Sequence, residues 1–218
     1  MANVKSFPNS ETRDLANLDL AEVLDFRPVQ GIIRLHEQRV VILSAAAMGL
    51  LRKELINTFG SETARRLMLR FGYADGYHDA VGLRDRSAWA SPLEGLRAGV
   101  VLHRLEGIVR ADLIQVDHDA ASGRFEAQAE WYDSYAAEQH VHHYGKSNEP
   151  VCWSLVGYAS GYASACLRQE IYFREIECLG QGASKCSVVG KDAKSWGDAL
   201  ETLRFDFQGA DLQREVEH

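Results

Sequence analysis

The chain has 218 residues and a formal net charge of -7, with 46 % hydrophobic and 25 % charged residues. These are the proportions of one folded domain able to bury a core without covalent staples, and the acidic balance argues against a nucleic-acid surface as its main business. No apolar run reaches the ~18 residues of a membrane span, the first residues lack a signal peptide's charged start and apolar stretch, and the four cysteines therefore read as thiols or metal ligands in a cytoplasmic protein.

Residues 1–20 are polar and irregular and read as an arm. Gly31 to Leu35 and Arg39 to Leu43 are short apolar stretches that suit strands or the entry to a helix. From Ser44 to Phe59 the spacing turns helical, with Ala47, Leu50, Leu51, Leu55 and Phe59 recurring every three or four residues. Gly60 ends that helix, and Ser61 can cap a second one carrying Ala64, Leu67, Met68, Phe71, Ala74 and Tyr77. Leu83 to Gly99, with Pro92 and Gly95, suits a mixture of loop and short helix. The period then falls to two: Val101, His103 and Leu105 would share one face of a short strand, Gly107 to Val116 would form a second, and Phe125, Ala127, Ala129 and Trp131 would line a third. Asp133 to Asn148 reads as a polar loop with His140, His142 and His143 in solvent. A helix is predicted from Cys152 to Glu170, where Gly157 and Gly161 leave room for a close neighbour, then a strand from Ile171 to Cys178. A Gly-rich turn reaches Lys185, and Trp196, Leu200, Leu203 and Phe207 trace a terminal amphipathic helix. Helices first, then strands with one intervening helix, predict an α+β domain with helices packed on an antiparallel sheet.

The chemistry-bearing residues are the cysteines. Cys178 and Cys186 flank a Gly-containing turn that lets two thiolates converge, and Cys152 follows Pro150 at a helix start. Cys166 falls outside such a site, because a helix from 152 to 166 separates the two sulfurs by ~21 Å, far beyond zinc–sulfur bonds of ~2.3 Å. Candidates for a fourth ligand are Glu175, Glu177 and the histidines 140, 142 and 143. A regular strand puts Glu175 and Cys178 on opposite faces, so a Glu175 ligand requires a bulge or bend before Leu179-Gly180. The competing reading is three buried thiols that merely pack. A catalytic zinc fits poorly, since neither the deaminase pattern nor H-E-x-x-H occurs. Gly180-Gln181-Gly182 is not a phosphate loop.

His103 and Trp131 each sit on an apolar face. Either both are satisfied within a packed core, or both point into a cavity and grip the hydroxyl of an apolar ligand. Tyr158 and Tyr162, four residues apart on the predicted helix, are core or the wall of that cavity.

Several segments together carry a family resemblance: Gly31 to Gln38 with Arg39, Phe71-Gly72-Tyr73, Ala129-Glu130-Trp131, Glu149-Pro150-Val151-Cys152-Trp153, Gly157 to Tyr162, Glu175 to Cys178, Lys185-Cys186 and Val189-Gly190-Lys191. The chain resembles the N-terminal sensory domain of aromatic-responsive, NtrC-type, sigma-54-dependent bacterial activators, a domain related to the 4-vinyl-reductase-like fold, over residues 20 to 200. The resemblance implies a structural zinc ion held by Cys152, Glu175, Cys178 and Cys186. It implies an aromatic effector gripped by His103 and Trp131 within walls of Leu96, Ala129, Tyr158, Tyr162 and Phe173. The presence of His103 favours a phenolic effector, and the small Leu96 and Ala129 favour a biaryl such as 2-hydroxybiphenyl as well as, or instead of, phenol. It also implies an arm at 1–20 that serves dimerisation, a sensory domain at 21–194, and a linker at 195–218 toward an ATPase domain that effector binding releases from restraint. On this reading the domain is a cytoplasmic homodimer with no membrane or direct nucleic-acid contact. The rival readings are a zinc-containing enzyme acting on an aromatic or vinyl substrate, and an interaction module with a filled core.

Overall fold

The computed structural model describes residues 24–35, 38–84 and 91–207; the arm at 1–20 and the end of the linker at 208–218 lie outside the described residues. Strands β1 (Leu24–Arg27), β2 (Ile32–Leu35) and β3 (Gln38–Val40) form a small antiparallel meander. Its first turn closes at Gly31, whose φ of 62° suits a residue without a side chain. Helix α1 (Ala45–Phe59) starts at Ser44, whose hydroxyl accepts the Ala47 N–H, and ends at Gly60. Helix α2 (Ser61–Arg84) follows directly.

Helix α3 (Pro92–Leu105) corrects the expected strand at Val101 to Leu105. Ser91 caps it and Pro92 occupies its first turn, both strong helix-start features. Three alternating residues are too short a window to outweigh the helical spacing of the buried Gly95, Ala98, Gly99 and Leu102. His103 is thus a helical residue. The second correction is helix α4 (Tyr135–Tyr144), where a solvated loop was expected. Ser134 caps it at Ala137 N–H and Gly145 ends it at φ 75°. Its polar composition masks the buried face of Ala136, Ala137 and Gln139.

The main sheet has the order β4-β5-β7-β6, with neighbours antiparallel: β4 (Arg110–Asp119), β5 (Arg124–Tyr132), β7 (Cys186–Asp192) and β6 (Ile171–Glu177). Directly paired residues point to one face. One row across the inner face is Leu113, Ala129, Val188 and Glu175; the next is Ala127, Gly190 and Phe173; a third joins Ala111, Trp131 and Cys186.

Helix α5 (Trp153–Leu167) is buried along nearly its whole length and sits between this sheet and α2. Toward the sheet, Ser160 Oγ accepts the Phe173 N–H at 2.9 Å and Ser164 Oγ accepts the Ile171 N–H at 3.0 Å. These hydroxyls satisfy donors of edge strand β6 that would otherwise be buried unpaired. Toward α2, glycines of the two helices interlock. A Cβ on Gly157 or Gly161 would meet the carbonyl oxygens of Leu69 and Tyr73, and one on Gly72 or Gly76 would meet those of Ser154 and Tyr158.

The stretch expected as a linker begins by docking on this core. Helix α6 (Leu200–Phe207) buries Leu203 and Phe207. The Phe207 ring packs 5.2 Å from Tyr172 and 6.0 Å from Tyr73, and Arg65 bridges both oxygens of Asp206 at 2.9 and 2.6 Å.

Candidate metal centre and adjoining pocket

Four predicted ligands meet at the junction of α5, β6 and β7. Ligand atoms of Cys152, Glu175, Cys178 and Cys186 all lie within 4.8 Å of one another, and all four residues are buried. The bend that a Glu175 ligand requires is present: the β6–β7 pairing shifts register between Glu175 and Glu177, leaving Ile176 unpaired and exposed. This β-bulge resets the alternation so that Glu175 and Cys178 turn to one side. Glu177 points away and accepts the Ser187 hydroxyl, and Cys166 is not part of the cluster.

The donor set fits a four-coordinate soft cation. The sulfur–sulfur separations are 3.6 Å (Cys152–Cys186), 3.8 Å (Cys152–Cys178) and 3.9 Å (Cys178–Cys186). Thiolates bound tetrahedrally to zinc at ~2.3 Å stand about 3.8 Å apart. Glu175 Oε2 accepts the Cys152 N–H at 3.0 Å while its Oε1 is buried with no partner, an acceptor available to a cation. Backbone N–H groups of Gly180 and Val151 point at Cys178 Sγ, and that of Leu179 at Cys186 Sγ, as anionic sulfur requires. Burial, then the neighbouring Cys178, pushes the Glu175 carboxyl up to about 8. Such a crowd of acidic groups holds protons until a cation displaces them.

Arg52 of α1 stands beside this centre. It is 3 % exposed, stacks 3.8 Å over the Trp153 ring, and leaves Nε and Nη1 without hydrogen-bond partners. Burial lowers its guanidinium to about 10, against the opposing influence of Cys152, Tyr135, Cys178 and Glu175. Its Nη2 lies 3.5 Å from His140 Nδ1, which places His140 against α1 rather than at the metal site.

The second grouping is aromatic. His103 is 5 % exposed, and neither ring nitrogen has a hydrogen-bond partner. Its ring lies 3.9 Å from that of Tyr158, which stacks on Tyr162 at 5.8 Å. The Tyr162 hydroxyl is likewise buried without a partner, and its ring fills the space over Gly99. Leu96, Val100 and His103 follow one another at spacings of four and three along α3 and so form one stripe. Leu96 and Val100 pack against the cluster that holds Ala129, Trp131 and Phe173 on the inner sheet face. The Phe173 ring lies over Gly190, where no side chain competes for the space. His103 also borders a cleft of about 640 Å³, lined by Tyr158, Asp75, Asp79, Glu106 and apolar residues including Leu35 and Leu155. Trp131, Leu96, Ala129, Tyr162 and Phe173 do not line that cleft.

Three features escaped the sequence reading. Asp75 and Asp79 share a face of α2 at a spacing of four, Glu106 follows His103 by three, and Arg52 lies on the buried side of α1. Each was readable as an ordinary solvated charge; packing between the helices buries Arg52 and Asp79, while Asp75 and Glu106 line the cleft beside them.

Residues 19–119 match a family described as "Activator of aromatic catabolism" and residues 131–192 match the V4R domain. The chain is 39 % identical to the transcriptional regulatory protein XylR of Pseudomonas putida over 83 % of its length, and 33 % identical to the phenol regulator MopR of Acinetobacter guillouiae over 87 %. It spans about a third of these relatives, 32 % and 34 % respectively. Among solved structures, the phenol-responsive sensory domain of the transcription activator PoxR, crystallised with phenol, superposes with a TM-score of 0.83 at 38 % identity, covering 91 % of this chain and 98 % of that one. These relatives are transcriptional regulators, not enzymes, which sets aside the enzymatic reading. No helix among the described residues is long and apolar enough to cross a membrane.

Proposed function

The chain belongs to the N-terminal aromatic-sensing domains of sigma-54-dependent transcriptional activators, and we propose that it binds a phenolic effector between α3, α5 and the inner face of the main sheet. The observation that carries this reading is His103: a buried imidazole with neither nitrogen hydrogen-bonded, under the Tyr158 ring that stacks on Tyr162, whose buried hydroxyl is also without a partner. Unsatisfied buried polar atoms cost ~1–3 kcal/mol each, and a ligand hydroxyl relieves that cost. Trp131 supplies an indole N–H as a second grip, and Tyr158, Tyr162 and Phe173 supply aromatic walls. The small side chains of Leu96 and Ala129 favour 2-hydroxybiphenyl as an effector as well as phenol.

Cys152, Glu175, Cys178 and Cys186 hold a zinc ion, which supplies a structural cross-link between α5, β6 and β7 and no chemistry on the effector. The segment from 195 onward leads toward an ATPase domain that the sensory domain restrains in the full-length regulator. Effector binding releases that restraint because the ligand has higher affinity for the released arrangement. The domain is a cytoplasmic homodimer, supported by the exposed apolar run Val41, Ile42 and Leu43, which lines one cleft with the exposed Phe71 of α2.

Calorimetric titration of the zinc-quantified protein with 2-hydroxybiphenyl and with phenol tests the reading. Saturation near one effector per chain is expected. No heat with either ligand on folded, metal-loaded protein would remove it.

A further inference from the structure

Asp79 and Glu106 approach His103 from two elements. Glu106 lies just past the end of α3, and its Oε2 is 4.0 Å from His103 Nδ1. Asp79 comes from α2 and accepts the Tyr158 hydroxyl at 2.8 Å, while the Tyr158 ring covers the imidazole. Asp79, Glu106, His103 and Tyr158 all border the same cleft. With Asp75, Asp79 and Glu106 lining one cleft, each further negative charge there is disfavoured. Burial, reinforced by Asp79 and Asp75, holds the Glu106 carboxyl up at about 9, so the proton resides with this pair at neutral pH. A protonated Glu106 still presents a carboxyl oxygen as an acceptor toward the imidazole.

The imidazole is neutral, since burial lowers it to about 3, and it therefore carries one N–H. Which nitrogen carries that proton is set by where an acceptor stands. We infer that Asp79 and Glu106 are positioning residues: they hold His103 with its proton on Nδ1 and leave Nε2 as the acceptor for an effector hydroxyl. A ring movement of about 1 Å brings Nδ1 within hydrogen-bond distance of Glu106 Oε2. The inference rests on the effector reading above for its consequence, but not for its test. The consequence is selectivity for ligands that donate a hydrogen bond, so phenol binds and its methyl ether, which has no O–H, binds poorly.

Nitrogen-15 correlation spectroscopy of the zinc-loaded, ligand-free protein reads the His103 tautomer directly. Wild type is expected to show the proton on Nδ1. Glu106→Gln, which keeps a carbonyl acceptor, should preserve it, and Glu106→Leu should move the population to Nε2–H. A wild-type His103 protonated on Nε2 overturns the inference without any variant, as does a tautomer indifferent to Glu106→Leu. Calorimetry then compares phenol with anisole. Wild type should favour phenol by about tenfold, one net hydrogen bond; Glu106→Leu should shrink that ratio to about twofold and Glu106→Gln should restore it. An unchanged ratio in Glu106→Leu also counts against the inference. If wild type binds neither aromatic, the effector reading fails, while the tautomer measurement still decides this one.

Discussion

Trp131 on β5 stands directly opposite Cys186 on β7, so the indole proposed to grip the effector and a ligand of the proposed zinc ion are cross-strand neighbours on one sheet face. The same coupling recurs on β6, where Phe173 precedes Glu175 by two residues, and along the row that joins Ala129 through Val188 to Glu175. Whatever fixes the metal centre therefore fixes the pocket wall.

Replacing Cys178 with serine follows from that coupling. The fully buried thiol has Gly180 and Val151 N–H groups built around it. The variant is expected to lose its zinc by metal analysis, to lose more than ~3 kcal/mol of stability in thermal unfolding, and to bind effector at least tenfold more weakly. A metal-free variant that unfolds at the wild-type temperature and still binds would refute the structural role.

His103→Ala separates the pocket from the metal centre. The side chain makes no hydrogen bond that holds the fold, so the variant should fold and keep one zinc per chain. Its affinity for phenol should drop about tenfold to thirtyfold, the worth of one buried hydrogen bond to a small ligand. Unaltered phenol affinity would return His103 to the role of packing.

Ala129→Phe and Leu96→Phe address effector size. Ala129 stands on the inner face of β5 and Leu96 packs against both hydrophobic clusters, so rings added there would enter the proposed effector space. Each variant should lose 2-hydroxybiphenyl by tenfold or more while retaining phenol within about threefold. Equal losses for both ligands would show a general disturbance rather than a size limit.

The legibility of this chain in its sequence divides along physical lines. Strand β5 was readable because Phe125, Ala127, Ala129 and Trp131 alternate over a full strand length, and α5 because its small residues recur at helical spacing. The metal cluster was readable in part: the turn between Cys178 and Cys186 is local, whereas the bulge at Ile176 that brings Glu175 round depends on pairing with β7. His103 was placed on a strand because three residues cannot distinguish a period of two from the rim of a helix, and the capping Ser91 lay twelve residues upstream. Asp79 and Arg52 were invisible as buried charges, because helices far apart in the chain bury them.

Gly161→Ala tests the contact between α2 and α5. A methyl group there is driven into the Tyr73 carbonyl oxygen, and backbone cannot rotate away as a side chain can. The helix-propensity gain of ~1 kcal/mol is outweighed by a separation of the two helices, with a net loss of ~2–4 kcal/mol. Denaturant unfolding measures it, and a stabilised variant would contradict the close approach.

The carboxyl pair gives stability a sign against pH. Glu106, held up to about 9 by burial and by Asp79, keeps its proton in the folded chain, whereas the unfolded chain releases it near ~4.3. The folded state binds more protons across that interval, so this contribution is lost as pH rises toward 9. His103 acts in the opposite sense: lowered to about 3, it remains neutral in the folded chain while the unfolded chain takes up a proton below ~6.5, so its contribution is lost as pH falls from there. Between pH 7 and 9 His103 is silent and Asp79, raised to about 7, is half titrated at the start and finished by about pH 8, which leaves Glu106 the larger share. At saturating zinc, the stability of wild type relative to Glu106→Gln should therefore decline by roughly 1–2 kcal/mol over that range, measured by urea unfolding at pH 7, 8 and 9. A difference that stays flat, or grows with pH, would mean that Glu106 is ionised in the folded protein.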